Sequence, residues 1–223
     1  MTRPSFRRIV RIALLSLAAA YASLVLSLVV LRFANPPFTA VHVQRRIESW
    51  SAKGAYKKRY EPVPLARISP NLQHAVIAAE DGRFYTHWGF DWSQIKDAIE
   101  DDLEDGRLRG ASTITQQLVK NLFFTTRFGI VRKAAEAAVV PAAEIILGKQ
   151  RILELYLNTA EWGPGVFGIE AAANFHYRST AARLSREQSA RLAAILPSPR
   201  RRKPARMDRY SGIILTRMNQ MGW

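Results

Sequence analysis

Twenty consecutive positions, Ile12 to Leu31, carry no charge, and this run constrains the chain more than any other feature. At about 1.5 Å per residue, a helix of that length reaches roughly 30 Å, the thickness of a bilayer's hydrocarbon core. Arg3, Arg7, Arg8 and Arg11 precede the run, and Arg32 alone follows it closely. Basic residues favour the cytoplasmic side, so the N-terminus is expected in the cytoplasm and everything after Arg32 outside it. A cleaved leader is the competing reading, because Ala20-Tyr21-Ala22 has the small-x-small pattern of a cleavage site. Leu24 to Leu31 continues the apolar run past that point, which favours a retained, single-pass anchor. The expected division is a basic N-terminus over 1–11, a transmembrane helix over 12–31, a juxtamembrane region over 32–60 and a folded domain over 61–223.

The domain behind this anchor has enough material for a core, since 48% of all residues are apolar. Lys and Arg number 33 against 18 Asp and Glu, a net charge of +15. That excess favours anionic partners: nucleic acid, phospholipid headgroups or a phosphate-bearing substrate. It also fits arginines that merely line a face near an anionic bilayer. There is no cysteine, which excludes a disulfide framework and thiolate metal sites.

From about residue 41 the pattern is helical, with no alternating strand pattern of any length. Ser69-Pro70 reads as an N-cap followed by Pro at N1, and Leu72, Ala75, Val76 and Ala79 mark one buried face. Asp91 and Gln94 have capping-box spacing ahead of a second helix with an acidic outer face, Asp97, Glu100, Asp101 and Glu104. Gly106 and Gly110 bracket a loop, and Ser112 is expected to cap a third helix. A long helix is expected over Val131 to Leu147, kinked or broken at Pro141 and closed by Gly148. Lys149 to Trp162 reads as another helix, Gly163-Pro164-Gly165 with Gly168 as a loop, and Ser185 with Gln188 as the cap of a helix ending before Pro197. The fold class is therefore mainly α, behind one N-terminal transmembrane helix.

Three clusters could carry chemistry. Glu80 ends the helix that starts at Ser69-Pro70. The negative end of the helix dipole and the neighbouring Asp81 both disfavour its charged form, pushing it toward a general base; an ordinary exposed Glu is the alternative. The segment Glu80 to Asp91 crowds carboxylates, Arg83, His87 and aromatic rings into a loop, the composition of a sugar-binding cleft. His87 has no partner His at ligand spacing, so a metal role is not expected, and a structural hydrogen bond is its ordinary reading. Thr113, Gln116, Gln117 and Lys120 share one helix face opposite Ile114, Leu118 and Leu122, a polar stripe suited to binding a ligand. Arg132 and Lys133 with Glu136 form either a surface ion pair or a basic pair that holds pyrophosphate. Two glutamates in such surroundings suggest glycosyl chemistry, and the cations beside them a phosphate leaving group.

Four ordered segments carry a resemblance. Glu80-Asp81 with Phe84, His87, Gly89 and Asp91 resembles the first signature of the glycosyltransferase family 51 peptidoglycan polymerases. Gly110-Ala111-Ser112-Thr113-Ile114-Thr115-Gln116-Gln117-Leu118 with Lys120-Asn121 resembles the second, and Arg132-Lys133 with Glu136 the third. Arg151-Ile152-Leu153-Glu154 with Tyr156-Leu157-Asn158, then Gly163, Gly165 and Gly168, resembles the fourth. The chain ends soon after Pro197-Ser198-Pro199, and no Ser-x-x-Lys is followed by its penicillin-binding partner motifs. The monofunctional branch, without a transpeptidase domain, is therefore expected. Pro141 and Phe175-His176-Tyr177 depart from the usual pattern.

The resemblance implies a lysozyme-like, two-lobed helical glycosyltransferase domain over 61–223, with lipid II and the growing glycan as substrates. It implies Glu80 as general base and Glu136 as the second, supporting carboxylate. Substrate contacts would come from Asp81, Phe84, His87, Ser112, Thr113, Gln116, Gln117, Lys120, Asn121, Arg132 and Lys133, with the last two and Lys120 on the donor pyrophosphate. It leaves a divalent cation (Mg or Mn) open as a helper without a dedicated metal site, and cell-wall synthesis or division proteins open as partners beside membrane lipid. It gives no role to nucleic acid. Its setting is the inner, cytoplasmic membrane, with the catalytic domain in the periplasm. Phe123-Phe124 and Phe128-Gly129-Ile130, beside Arg127, are expected to dip into the membrane interface. A lysozyme-like or lytic enzyme cutting the same polymer, and a catalytically silent envelope scaffold, stay open as alternatives.

Overall fold

The computed structural model describes residues 6–51, 56–97, 112–125 and 129–223. The expected acidic face at Glu100, Asp101 and Glu104, the Gly106–Gly110 loop, and Arg127 with Phe128 lie outside them. The chain opens with helix α1, Phe6–Leu31. It is long and apolar enough to cross a membrane. Most of it stands clear of the rest of the chain, but its last turn buries Leu28 and Leu31. There the Arg151 guanidinium donates to Leu31 O at 2.8 Å and to Ala34 O at 2.7 Å, and pairs with Glu154. Arg32 donates in turn to Ile146 O. These bonds satisfy carbonyls that a helix C-terminus leaves without partners, and they fix the exit of α1 against the domain.

Helix α2, Ala40–Trp50, follows, capped by the Thr39 hydroxyl on His42 N. Strand β1, Arg59–Tyr60, then leads to helix α3, Pro70–Glu80. Ser69 occupies the N-cap position with Pro70 after it, as expected, but its hydroxyl donates to Leu184 O at 3.0 Å instead of capping the helix. Leu72, Ala75 and Val76 are buried as predicted, and so are Ile77 and Ala78, so α3 is enclosed on more than one face. Residues 92–97 are helical, started by Asp91 Oδ1 accepting from Gln94 N at 3.0 Å.

Helix α4, Ile114–Phe123, begins one residue later than expected. Thr113 is the cap, because Gln116 at its N3 position returns a bond to the Thr113 N–H, and the two form a full capping box. From Ser112 the same position holds Thr115, whose short side chain goes to Glu144 instead.

Helix α5 spans Gly129–Thr159 and packs along α4. The break falls at Gly148, with φ 71° and ψ 162°, and not at Pro141, where the backbone angles stay helical. Only glycine tolerates the Gly148 conformation at low cost. Pro141 itself is exposed.

The helix expected to reach Trp162 stops at Thr159. Strand β2, Glu161–Gly163, takes over, turns at Pro164-Gly165, and pairs antiparallel with β3, Val166–Phe167, which pairs parallel with β1. These strands of two or three residues are too short to show alternation, which is why the pattern missed them. Helices α6, Ile169–Tyr177, α7, Arg186–Ala193, and α8, Asp208–Gln220, complete the described chain. The capping box of Ser185 and Gln188 is present as predicted. The fold is mainly helical, and α3, α4, α5 and α7 enclose one core around Phe84, Ile114, Leu118, Tyr156 and Leu192.

Candidate active site

The last residue of α3, Glu80, points its carboxylate at α4. Its Oε2 accepts from Gln117 Nε2 at 2.7 Å. The Gln117 amide is itself held: its Oε1 accepts from the Tyr156 hydroxyl at 3.0 Å, and Nε2 also donates to Ser112 O at 3.4 Å. The carboxyl pKa of Glu80 is raised from its ordinary 4.5, first by burial and last by Asp81. The Gln117 bond and the charges of Lys120 and Arg202 oppose the rise. The direction agrees with the reading of the sequence, but burial is the main cause and the adjacent Asp81 is a minor one.

Lys120, one turn beyond Gln117, lies within electrostatic reach of both Glu80 and Glu136. Burial lowers its ammonium pKa, Glu136 and Glu80 raise it, and Arg132 lowers it. Glu136 is 7% exposed on the first half of α5 and pairs with Arg132 one turn earlier. A buried carboxylate beside two cations is a different object from the exposed helix pair that spacing alone would allow. Lys133 is exposed and Asn121 half-buried. Helix packing thus brings Glu80, Gln117, Lys120, Arg132 and Glu136 to one region from three separate segments.

Other predicted residues brace this region. Asp81 is 1% exposed and both its oxygens are engaged: Oδ1 with His87 Nε2 at 2.8 Å, Oδ2 with Ile114 N at 2.9 Å. His87 Nδ1 accepts from Gly89 N at 3.1 Å, which places the ring proton on Nε2, facing Asp81. Asp81 therefore ties the end of α3 to its loop and to the first N–H of α4. Phe84 is wholly buried, with the Lys149 ammonium 4.6 Å from its ring centre. Thr113 is also buried, and its hydroxyl donates to Gly89 O at 2.7 Å. Gln116 is taken up in the capping box. Asp81, Phe84, Thr113 and Gln116, expected at the substrate, make internal contacts in this structure. His87 belongs with them, both its ring nitrogens being engaged. Exposed rings on this loop are Tyr85, Trp88 and Trp92.

Asp81, His87 and Asp91 bring ligand atoms within 4.8 Å of one another, the geometry of a candidate metal site. The Asp91 oxygens, however, hold the Arg83 guanidinium at 2.6 and 2.9 Å, together with Ser93 Oγ and Gln94 N. A cation there would displace an arginine and break the Asp81 clasp, so these residues do not fit a divalent ion. Sequence reasoning gave no individual role to Tyr156, Thr115 or Glu144. Thr115 donates to Glu144 at 2.6 Å and Lys149 bonds the same oxygen at 2.8 Å, bracing α4 against α5.

The transglycosylase family model matches residues 46–220. The chain belongs to this family. The transglycosylase is 44% identical to the biosynthetic peptidoglycan transglycosylase of Pseudomonas entomophila, with 97% of this chain and 92% of that protein covered. Proteins of the same description from Pseudomonas fluorescens and Ectopseudomonas mendocina are 43% and 42% identical, each across 100% of this chain and 92% of their own length. The fourth motif of the transglycosylase is structural where the geometry is clear. Arg151 and Glu154 clamp the end of α1, Glu154 Oε2 accepts from Leu65 N at 2.8 Å, and Asn158 bonds both the N–H and the C=O of Val63.

Proposed function

We propose that this protein is a peptidoglycan glycosyltransferase that polymerises lipid II, with Glu80 as general base. The observation that carries the reading is the half-buried Glu80 carboxylate, held by one amide donor, with Lys120 in electrostatic reach of it and of the buried Glu136 carboxylate. In the proposed step Glu80 takes the proton from the 4-hydroxyl of the incoming lipid II sugar. The freed oxygen attacks the anomeric carbon of the growing glycan from the face opposite its pyrophosphate. The carbon–oxygen bond to pyrophosphate breaks, its electron pair leaves with undecaprenyl pyrophosphate, and the new link is β-1,4 with inversion. Lys120, Arg132 and Lys133 would neutralise the departing charge, and Glu136 would hold two of these cations in place. Asn121, half-buried on α4, and Ser112, just ahead of it, would supply further polar contacts.

The anchor reading supports this chemistry, since a lipid-linked substrate stays in its bilayer and α1 is stapled to the domain. The proposed topology is a single pass through the inner membrane, the N-terminus cytoplasmic and the catalytic domain periplasmic. The cations favour transfer over hydrolysis, because glycan cleavage releases no pyrophosphate. Purified full-length protein with labelled lipid II tests the reading: polymer should form, and Glu80→Gln should abolish it. Shortening of preformed glycan would instead identify a hydrolase, and no change in either substrate a scaffold.

A further inference from the structure

Gln117 has a carboxamide that could present either end to Glu80, and only one end helps a base. With NH2 toward Glu80 it stabilises the carboxylate; with C=O toward it, it would accept a proton from the carboxylic acid and stabilise the spent form. A freely turning Gln would serve both states. We infer that Tyr156 is a positioning residue for the transfer reaction, its hydroxyl proton locking the Gln117 amide in the orientation that faces Glu80 with N–H. The inference rests on the reading of Glu80 as base.

Three contacts define the lock. Tyr156 is 1% exposed in the second half of α5, so its hydroxyl has no water to turn to. It donates to Gln117 Oε1 at 3.0 Å. The two N–H bonds of the amide are then directed at Glu80 Oε2 at 2.7 Å and Ser112 O at 3.4 Å. A flipped amide would set its oxygen against that carboxylate and that carbonyl. Burial and the nearby charges of Glu80 and Asp81 hold the phenol pKa well above 10, so the hydroxyl keeps the proton it donates to Gln117. Gln117 and Tyr156 belong to different motifs, and the bond between them appears only when α4 packs on α5.

The test is the pH dependence of polymerisation by the full chain with labelled lipid II. The acidic limb of the rate profile reports protonation of the base. Tyr156→Phe keeps the ring volume and frees the amide to turn, so the acidic limb should move to higher pH. kcat should fall ~10-fold, the rate equivalent of one ordinary hydrogen bond, with KM little changed. Gln117→Ala should move the limb in the same direction, and adding Tyr156→Phe to it should move it no further. An unmoved limb in Tyr156→Phe overturns the inference, whether or not its melting temperature falls. Should that variant fail to fold, an unmoved limb in Gln117→Ala overturns it equally. If Glu80→Gln still polymerises lipid II, the base assignment fails and not merely the lock.

Discussion

Asp81 sits beside the proposed base, and a ligand-binding Asp81 and a bracing Asp81 predict different outcomes for Asp81→Asn. The side chain is 1% exposed and each oxygen accepts one hydrogen bond, from His87 and from the first N–H of α4. Asparagine has one oxygen to offer. If its NH2 faces Ile114, two buried donors confront each other at the start of α4. If it faces His87, the ring must shift its proton to Nδ1, which strands Gly89 N–H. Either outcome leaves one buried donor without a partner, at about 1–3 kcal/mol, and weakens a charge-assisted bond. The total is about 2–4 kcal/mol. At roughly 2–4 °C per kcal/mol for a domain of this size, melting should fall by about 4–16 °C. The measurement is thermal unfolding of the detergent-solubilised protein at pH 7, paired with polymerisation well below the transition. Unchanged melting with lost activity would refute the clasp and return Asp81 to the substrate.

Gly89→Ala should destabilise by about 2–4 kcal/mol, since a Cβ there lies 2.3 Å from Val140 Cγ1 at φ +84°; urea unfolding reads the loss. Arg151→Ala removes three bonds that fix the end of α1 and should open residues 31–40 to limited proteolysis while the domain's own melting changes little. Glu80 binds its proton more tightly folded than unfolded, so its charge costs stability as pH rises from 4.5 through the raised folded pKa. Glu80→Gln should therefore melt higher than the parent at pH 8 and show a smaller difference at pH 4.5; a lower value at pH 8 would contradict the role of burial. Glu136→Gln removes the strongest charge that keeps Lys120 protonated, so the basic limb of activity should move to lower pH.

What was legible in the sequence divides along a physical line. Helix starts encoded in four-residue spacing, such as Ser185 with Gln188, could be read directly, and so could the long uncharged run of α1. The Thr113 box was misplaced by one residue because two adjacent hydroxyl residues compete for the role, and only the Gln at N3 decides between them. The small sheet could not be read, because strands of two or three residues carry no period. Within the candidate site, the motifs name residues that the fold brings together but not which of them are internal. Asp81, Phe84, His87 and Thr113 stand near Glu80 and build the corner at the end of α3. Composition cannot separate a residue that touches a ligand from one that positions its neighbour, since burial is set by the packing of α3, α4 and α5. Tyr156 was hidden for the same reason, in a segment otherwise read as a helix of the fourth motif.

That packing also gives a physical reason for the second carboxylate in the proposed mechanism. Enclosure raises the Glu80 pKa and lowers that of Lys120, because it disfavours charge on either. A base for a sugar hydroxyl gains from the first effect only while the group still ionises, and a pyrophosphate site loses from the second. The two residues sit on adjacent helices, so no change in depth could help one without harming the other. Local partners must then separate them: Gln117 favours the charged form of Glu80 by one directed bond, and the charge of Glu136 favours the charged form of Lys120. Glu136 is itself kept within the enclosure by Arg132. The second motif thus acts on Glu80 through the Gln117 bond and the Lys120 charge, which oppose the rise that burial causes, and the third acts on Lys120 through Glu136 and Arg132.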